Sequence, residues 1–317
     1  MVKDEESASA SVVIPFYRDG DTIMRAVQSA LDQDDGRTQV IVVIDDGSLD
    51  ARDMLERIGD ARVRVLVNER NLGAPASRNR GLAEVRTPYV LFLDADDYLT
   101  GALIAPLVRK MEEAKAQVGF GPSAQWSPSR GLSRPRVPGF RDHADIFLRW
   151  FGHGQFVNTA SVTWSTDFLR GIGGWDETLR RNQDGELALR AILLGARFVT
   201  SAEGLGVWCR DPARGGITRR IDNLDSLFAV VDKFLAMRSD VVPDDVRLRA
   251  CALSLYGVAH LAFNRGRDDI GREALERSRR LGFKGHSGTP LHVAASSVLG
   301  LPLKQKLTRY LRGRLSL

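Results

Sequence analysis

The fold is indicated first by an unbroken apolar run that ends in a polar turn, VIVVIDDGS at residues 40–48. A continuous run of this length is typical of a strand buried on both faces, as in a parallel sheet. The runs SVVIPF at 11–16, VRVLV at 63–67 and YVLFL at 89–93 have the same character, and helical patterns separate them. This alternation predicts an α/β fold with a mostly parallel sheet flanked by helices.

The second half of the chain has a different pattern. Apolar residues at helical spacing predict one helix around 187–194 and another around 224–235, and the pattern stays helical from about residue 222 onward. We therefore expect a domain spanning 1–220 and a helical C-terminal extension spanning 221–317. The stretch 121–139, which holds four prolines, predicts a long loop.

Composition excludes several classes of protein. The 317 residues are 43% hydrophobic, and no apolar stretch approaches the ~20 residues of a membrane span. Two cysteines, Cys209 and Cys251, are too few for a disulfide framework. The first ten residues are polar and acidic, unlike a secretory signal. We therefore expect a cytoplasmic protein, and its oligomeric state stays open.

The C-terminal tail is basic. Residues 271–317 contain ten basic and two acidic residues, while the whole chain carries a net charge of +5. Leu303, Leu307, Leu311 and Leu315 recur every four residues among lysines and arginines. Two interpretations stay open: an amphipathic helix on the inner face of an anionic membrane, or a helix docked on the protein with a solvated basic face. No nucleic-acid motif accompanies the charge, so we expect no nucleic-acid partner.

Acidic residues follow the strand at 89–93. Asp94, Asp96 and Asp97 place three carboxylates within four residues, and these would repel one another unless a cation sits nearby. Residues two apart in an extended strand face the same side, so Asp94 and Asp96 are predicted to converge on Mg²⁺ or Mn²⁺. An exposed acidic turn is the alternative. Likewise, DDGS at 45–48 alone is equally well explained as a turn with a helix cap.

An ordered set of motifs resembles the family 2 glycosyltransferases, which have the GT-A fold, a Rossmann-like α/β sheet. The motifs are VIPFY at 13–17, DDGS at 45–48, NLGAPASRNRG at 71–81, DADD at 94–97, WSTDFLRGIGGWD at 164–176 and QDGEL at 183–187. The resemblance implies an inverting, metal-dependent enzyme. It implies a nucleotide-diphospho-sugar donor, a UDP-sugar by family expectation, and a glycan or lipid-linked glycan acceptor in bacterial surface polysaccharide or glycolipid assembly.

The same resemblance implies roles for the donor-binding residues. Tyr17 resembles the residue that stacks on the base, with Pro15 beside it. Asp46 resembles the residue that reads the base, and Asp45 supports that turn. Arg78 resembles the contact to the diphosphate, for which the planar donor fork of arginine is suited.

Metal and catalytic roles follow in the same way. Asp94 resembles a ligand shared by ribose and metal, with Ala95 beside it, and Asp96 resembles the main metal ligand. Asp184 resembles the catalytic base, with an N-cap of the following helix as the alternative. Asp211 stands where the family commonly has a histidine, so it is either a metal ligand or a turn residue.

Other functions are less well supported. A sugar-phosphate nucleotidyltransferase needs a Gly-rich phosphate loop after the first strand, and PFYRDG at 15–20 is not one. A non-catalytic sugar-binding protein would not need the acids at 94, 96 and 184. The segment LRW at 148–150 lacks the glutamine of processive synthases, so we predict transfer of a single sugar. Tryptophans in the middle of the chain are acceptor-stacking candidates, although burial in the core is their commoner role: Trp126, Trp150, Trp164 and Trp175.

Overall fold

The computed structural model describes residues 9–18, 20–33, 37–211 and 226–315. The chain divides into two compact units. The first comprises Met1–Phe140, Val157–Thr178 and Ala196–Arg214. The second comprises Arg141–Phe156, Leu179–Gly195 and Gly215–Leu317. The boundary predicted near Arg220 lies outside the described residues, so its position stays a prediction.

The first unit holds all strands of the described chain. They are β1 (Ala10–Phe16), β2 (Gln39–Ile44), β3 (Val63–Val67), β4 (Tyr89–Phe92), β5 (Tyr98–Thr100), β6 (Val118–Phe120), β7 (Ser123–Ser127), β8 (Gly131–Leu132), β9 (Val162–Ser165), β10 (Phe198–Thr200) and β11 (Leu205–Cys209). One sheet has the order β10-β6-β9-β4-β1-β2-β3, and a second has the order β5-β11-β7-β8. In the larger sheet only β9 runs antiparallel to its neighbours. The predicted mostly parallel sheet is confirmed.

Twelve α-helices lie in the described chain. They are α1 (Gly20–Leu31), α2 (Leu49–Glu56), α3 (Ala74–Glu84), α4 (Ile104–Ala114), α5 (His143–Phe147), α6 (Thr166–Gly171), α7 (Gln183–Leu193), α8 (Ser226–Ala236), α9 (Asp244–Asn264), α10 (Asp268–Arg280), α11 (Pro290–Leu299) and α12 (Leu301–Leu315). A π-helical turn at Leu148–Gly152 follows α5, and a 3₁₀ turn at Thr159–Ser161 precedes β9. The first unit contains α1 to α4 and α6.

The apolar runs form the core of the larger sheet. Neighbouring residues such as Val12 and Val13 both have 0% exposure, as expected for a strand covered on both faces. Helix α1 packs Ile23 and Val27 into the cluster on one of these faces. On the other face, a Cβ on Gly81 would lie 2.3 Å from Val13, so only glycine lets α3 approach β1 this closely.

The predicted loop at 121–139 is wrong in part, because β7 and β8 lie within it. Strand β7 pairs in parallel with β11, a partner about 80 residues further along the chain. Pro122 and Pro128 flank β7, so they bound the strand without removing an amide from it. A local reading of the prolines could not reveal a distant pairing partner.

The second unit is entirely helical in the described residues, as predicted for the region after residue 222. Helix α9 packs against α8, α10 and α12. The rings of Phe147 and Phe151 lie 5.4 and 4.9 Å from the ring of Phe234. No described helix is both long enough and apolar enough to cross a membrane.

Helix α12 contacts the rest of its unit mainly through residues outside its leucine row. Leu301 and Gln305 are fully buried, and Arg309 pairs with Asp268 of α10 at 3.1 Å. Leu303, Leu307 and Leu311 are 48%, 43% and 59% exposed. The outer side of α11 is also apolar, since Leu291 and Val298 are more than four-fifths exposed. These three leucines of the tail therefore lie on its outer surface.

Candidate active site

Asp45 closes the turn at the end of β2. Its buried carboxylate accepts hydrogen bonds from the Asn68 side chain at 2.7 Å and from the amides of Leu72 and Gly73 at 2.9 and 2.8 Å. All three donors belong to the segment that leads into α3. Asp45 therefore holds the entrance of α3 against the end of β2, which is a supporting position for the site.

Asp46 and Ser48 complete this turn. Asp46 Oδ1 accepts from the Ser48 amide at 3.0 Å, and Ser48 Oγ caps α2 by accepting from the Ala51 amide at 3.2 Å. Gly47 has a φ of +70°, and a Cβ there would lie 3.3 Å from the Glu69 carbonyl. The turn and helix cap of the alternative interpretation are thus present. The carboxylate of Asp46 remains half-buried, and its role in reading a base stays a prediction.

Pro15 and Tyr17 lie at the end of β1. Pro15 is opposite Val43 in the parallel pair of β1 and β2, and it is half-buried. The Tyr17 ring is 41% exposed, and the Arg18 guanidinium lies 5.0 Å from its centroid. The partly exposed Tyr17 ring thus lies at the carboxyl ends of parallel strands, which is where α/β sheets bind ligands.

Arg78 and Asp94 form an ion pair at the end of β4. Arg78 Nη2 donates to Asp94 Oδ1 at 2.5 Å, and the side chains are 8% and 41% exposed. The guanidinium also lies 4.4 Å from the centroid of the Trp175 ring, which in turn packs edge-on against Phe92 at 5.1 Å. A buried arginine that is both paired and stacked has a fixed orientation, so its position next to an acidic turn is well defined.

Asp97 has a different environment from its neighbours Asp94 and Asp96. It is 1% exposed and accepts from the Cys209 amide at 2.8 Å, which ties the acidic turn to β11. Burial, and then the charges of Asp94 and Asp96, raise the pKa of the Asp97 carboxyl well above its ordinary value. Asp96 is half-buried, and its carbonyl accepts from Arg25 at 2.7 Å. Asp97 therefore stabilises the turn by holding it against β11.

The donor set of this turn suits a hard divalent cation. Carboxylate oxygens of Asp94 and Asp96 are ligands that Mg²⁺ and Mn²⁺ prefer, and Mg²⁺ commonly takes only one or two carboxylates, with substrate phosphates and water completing its shell. Burial is the main cause of the raised pKa of Asp97, and a cation there would offset the second cause, which is repulsion from Asp94 and Asp96. The residues present therefore fit a hard divalent cation.

Asp211 is not assembled with these two acids into a protein-only site. Among the residues that the structure describes, no group of three or more His, Cys, Asp or Glu side chains is arranged to hold a metal ion. Asp211 is half-buried two residues after the end of β11. The next residue, Pro212, lies outside the described chain. Whether Asp211 is a ligand or a turn residue stays open.

Asp184 lies in the second unit, in the first turn of α7. The N-cap of α7 is Asn182, with a φ of +56°, so the interpretation of Asp184 as the N-cap is wrong. Asp184 is half-buried. Glu186, which a sequence reading could offer as another base, is fully buried and pairs with Arg190 at 2.7 Å and Lys233 at 2.6 Å. Asp184 is thus the more accessible of the two acids in this turn.

Sequence reasoning missed several contacts around Arg78. Asn79 Nδ2 donates to the Trp175 carbonyl at 2.9 Å, and the Trp175 amide donates back to Asn79 Oδ1 at 2.9 Å. The GGWD segment thereby holds the ring on which Arg78 stacks. Trp150, Trp164 and Trp175 are at most 5% exposed, so burial in the core accounts for them and they are not free to stack on a sugar.

The sequence is similar to a known family and to named bacterial proteins. The family model described as "Glycosyl transferase family 2" matches residues 11–160. The succinoglycan biosynthesis protein ExoO of Rhizobium meliloti is 30% identical over 240 residues, covering 70% of this chain and 67% of that protein. The Escherichia coli UDP-Glc:alpha-D-GlcNAc-diphosphoundecaprenol beta-1,3-glucosyltransferase WfaP is 33% identical over 33% of this chain and 42% of its own.

A solved structure shares the fold. S. aureus TarS 1-349 in complex with UDP superposes with a TM-score of 0.62 at 15% sequence identity, covering 89% of this chain and 94% of that one. At this identity the likeness concerns the fold alone. It matches the α/β architecture that the apolar runs predict.

Proposed function

The chain belongs to glycosyl transferase family 2 and is a glycosyltransferase, and on that premise we propose that it transfers one sugar from a UDP-sugar to an acceptor hydroxyl with inversion at the anomeric carbon. The observation that carries the proposal is the buried, stacked Arg78 paired with Asp94. This pair sets a fixed cation beside two carboxylates at the ends of parallel strands, where α/β sheets bind nucleotides.

The donor is held by the residues of the first unit. The Tyr17 ring stacks on the base beside Pro15, and Asp46 accepts a hydrogen bond from the base, while Asp45 maintains the turn. The support is the exposure of Tyr17 and the three hydrogen bonds that lock Asp45. Arg78 donates to the diphosphate, because its fork matches two phosphate oxygens.

Asp94 and Asp96 would hold Mn²⁺ or Mg²⁺, with Ala95 between them close to the nucleotide. When bound, the ion neutralises charge on the departing diphosphate. Asp211 is a further candidate ligand. Arg78, already beside Asp94, adds a second positive charge at the oxygen from which the sugar departs. Together these groups lower the barrier by stabilising charge that develops as the bond breaks.

Asp184 acts as the general base. Its carboxylate takes the proton of the acceptor hydroxyl as that oxygen bonds to the anomeric carbon, and the bond from that carbon to the diphosphate breaks with its electron pair going to the diphosphate. The support is that Asp184 is half-buried in the first turn of α7, whereas the nearby Glu186 is fully buried and forms ion pairs with Arg190 and Lys233. A single displacement inverts the configuration.

The acceptor belongs to polysaccharide or glycolipid assembly. ExoO is named for succinoglycan biosynthesis and WfaP for a diphosphoundecaprenol-linked acceptor. We extend that setting to this chain, with a cytoplasmic protein at the inner face of the membrane. The exposed leucines of α12 and the apolar outer face of α11, on a tail with a strong excess of basic residues, support contact with anionic lipid.

A donor screen tests the proposal directly. Nucleotide sugars are compared by thermal shift with Mn²⁺ present, and the best donor is then incubated with lipid-linked glycan acceptors. We expect stabilisation by one UDP-sugar and a β-linked product from an α-linked donor. A product with retained configuration would overturn the mechanism.

A further inference from the structure

The helical unit contains a cavity of about 680 Å³ that the proposed chemistry does not use. The residues that line it include apolar ones such as Phe151, Leu253 and Val258. They also include polar and basic ones such as His260, His292 and Lys304. None of the residues that line it is an aspartate or a glutamate.

A chain of hydrogen bonds connects Lys304 to His292, Tyr256 and His286. Lys304 Nζ lies 3.0 Å from His292 Nδ1, and a lysine ammonium has only protons to offer, so Nδ1 accepts. His292 is therefore neutral, with its proton on Nε2, which lies 3.3 Å from Tyr256 Oη. Tyr256 Oη is in turn 3.0 Å from His286 Nδ1. Four of the protein's five histidines lie in or beside this cavity, counting His153 in its wall.

This cluster carries an excess of positive charge. Burial first, then the charges of Lys304 and His286, lower the pKa of His292. Within the described chain, Lys304 has a neutral imidazole as its side-chain partner and forms no ion pair. The residues from 277 to the end of the chain include no acid. A half-buried ammonium without a carboxylate is stabilised when an anion binds beside it.

A metal site does not explain the cluster. The described residues hold no group of three or more histidine, cysteine or acidic side chains arranged around one metal position. Lys304 also occupies His292 Nδ1, which removes one imidazole nitrogen from ligation. An anion with an apolar portion matches both kinds of residue that line the cavity.

We propose that this cavity binds the phosphate or diphosphate group of an amphiphilic molecule, with Lys304, His260 and Thr289 facing the phosphoryl oxygens and Phe151, Leu253 and Val258 facing the apolar chain. Thr289 caps α11 through the His292 amide at 3.3 Å, so the start of this ten-residue helix lies in the cavity wall. Such a molecule would be the phosphate end of a lipid-linked acceptor, and in that respect the inference rests on the proposed function.

Calorimetric titration of the full chain with farnesyl diphosphate tests the site, with inorganic pyrophosphate and farnesol as comparison probes. We expect farnesyl diphosphate to bind more tightly than either. Lys304→Met should weaken its binding by about tenfold or more, because a charge-assisted hydrogen bond is lost. Lys306→Met, an exposed lysine on the same helix outside the cavity, should leave affinity unchanged.

Additional variants and probes ensure that each result either supports or contradicts the proposed anion site. If Lys304→Met does not fold, His260→Gln, in the same wall, should give a similar loss. If pyrophosphate binds as tightly as farnesyl diphosphate, the anion site is retained and its ligands are free phosphate compounds.

If farnesol binds as tightly as farnesyl diphosphate, the proposed anion site is overturned. Loss of binding in Arg78→Lys but not in Lys304→Met would also overturn it, since the ligand would then be in the donor site. Binding that persists in Asp184→Asn separates this inference from the proposed mechanism of transfer.

Discussion

The Arg78 guanidinium donates to Asp94 Oδ1 at 2.5 Å while its face lies 4.4 Å from the centroid of the Trp175 ring. The pair joins α3 to the end of β4, and the ring comes from a segment about a hundred residues later. One planar cation is thereby held in a single orientation beside the acidic turn. The consequences of this arrangement can be measured.

Arg78→Lys should keep the charge and lose both the fork and the stacking. We expect UDP affinity to fall by about tenfold, which corresponds to ~1.4 kcal/mol. The free energy of unfolding should fall by about 1–3 kcal/mol, because a buried, stacked side chain is replaced by a less complementary one. Calorimetry and chemical denaturation measure the two effects. Arg86→Lys, at an exposed position just after α3, is the matched control and should be silent; equal affinities for the two variants would contradict the assignment of Arg78.

Metal dependence is expected to reside in Asp94 and Asp96. UDP should bind the natural protein weakly in EDTA and more tightly with Mn²⁺ or Mg²⁺, and Asp94→Ala combined with Asp96→Ala should erase that difference. Asp50→Ala, an exposed acid on α2, serves as the control. Titration calorimetry with each ion gives the readout. If the UDP affinity of the natural protein is the same with EDTA as with Mn²⁺ or Mg²⁺, the proposed metal site is refuted.

Asp97 should behave as a structural acid. Its carboxylate accepts the Cys209 amide at 2.8 Å from a buried position. Asp97→Asn keeps an acceptor and removes a buried charge, so we expect a melting temperature close to that of the natural protein. Asp97→Ala leaves the amide unsatisfied and should cost about 1–3 kcal/mol. Thermal denaturation of both variants tests this structural role. If Asp97 were instead a metal ligand, Asp97→Asn and Asp97→Ala would weaken metal-dependent UDP binding equally, which titration calorimetry would detect.

Asp184→Asn should separate chemistry from binding. A positioned base contributes roughly 10²–10⁴-fold to rate, so turnover should fall by that factor while UDP binding and stability persist. Steady-state transfer assays and product anomeric configuration are the measurements. Glu186→Gln is the contrasting variant: it breaks a buried pair with Arg190 and Lys233 and should cost about 3–5 kcal/mol of stability. If Asp184→Asn keeps more than about a tenth of the natural rate, the loss is smaller than removal of a general base should cause, and another acid is the base.

The thiol of Cys251 should make stability fall at alkaline pH. Burial raises its pKa to about 12, against about 8.5 in an unfolded chain. The folded state therefore holds the proton where the unfolded state loses it, so its contribution is complete below about pH 8.5 and is lost as pH rises toward 12, at up to ~1.4 kcal/mol per pH unit. Urea denaturation from pH 7 to 10 should show this slope, and Cys251→Ala should reduce it. An unchanged slope in the variant would contradict the prediction.

Lipid contact is expected to depend on the outward leucines of α12. Leu303→Glu combined with Leu307→Glu should reduce binding to anionic liposomes with little change in stability, because exposed substitutions usually alter the free energy of unfolding by no more than about 0.5 kcal/mol. Deletion of residues 302–317 should have the same effect on binding and leave UDP affinity unchanged. Liposome sedimentation measures both. Leu132→Glu, similarly exposed in β8, is the control; identical sedimentation of all variants would favour a tail without lipid contact.

Much of the first unit was determined by local sequence. Consecutive apolar residues are typical of strands buried on both faces, and the runs at 11–16, 40–44, 63–67 and 89–93 predicted β1 to β4 within one residue at each end. The edge strand β3 is only half-buried and exposes Arg64. Polar turns after parallel strands lie at one edge of the sheet, so their place in the chain favoured a common site for the acids at 45–46 and 94–97, and the family resemblance supplied their roles, which stay predictions. The ordered motifs then indicated the family.

Tertiary structure alone decided how those acids differ. Asp94, Asp96 and Asp97 are chemically alike in sequence, yet Asp97 is buried against an amide 112 residues away, while Asp94 is turned toward Arg78. Similarly, the leucine spacing of α12 predicts an amphipathic helix but not which face packs, and that choice was made by Leu301, Gln305 and the Arg309 pair. Backbone periodicity is a local property, whereas burial and pairing depend on what distant segments bring to the same place.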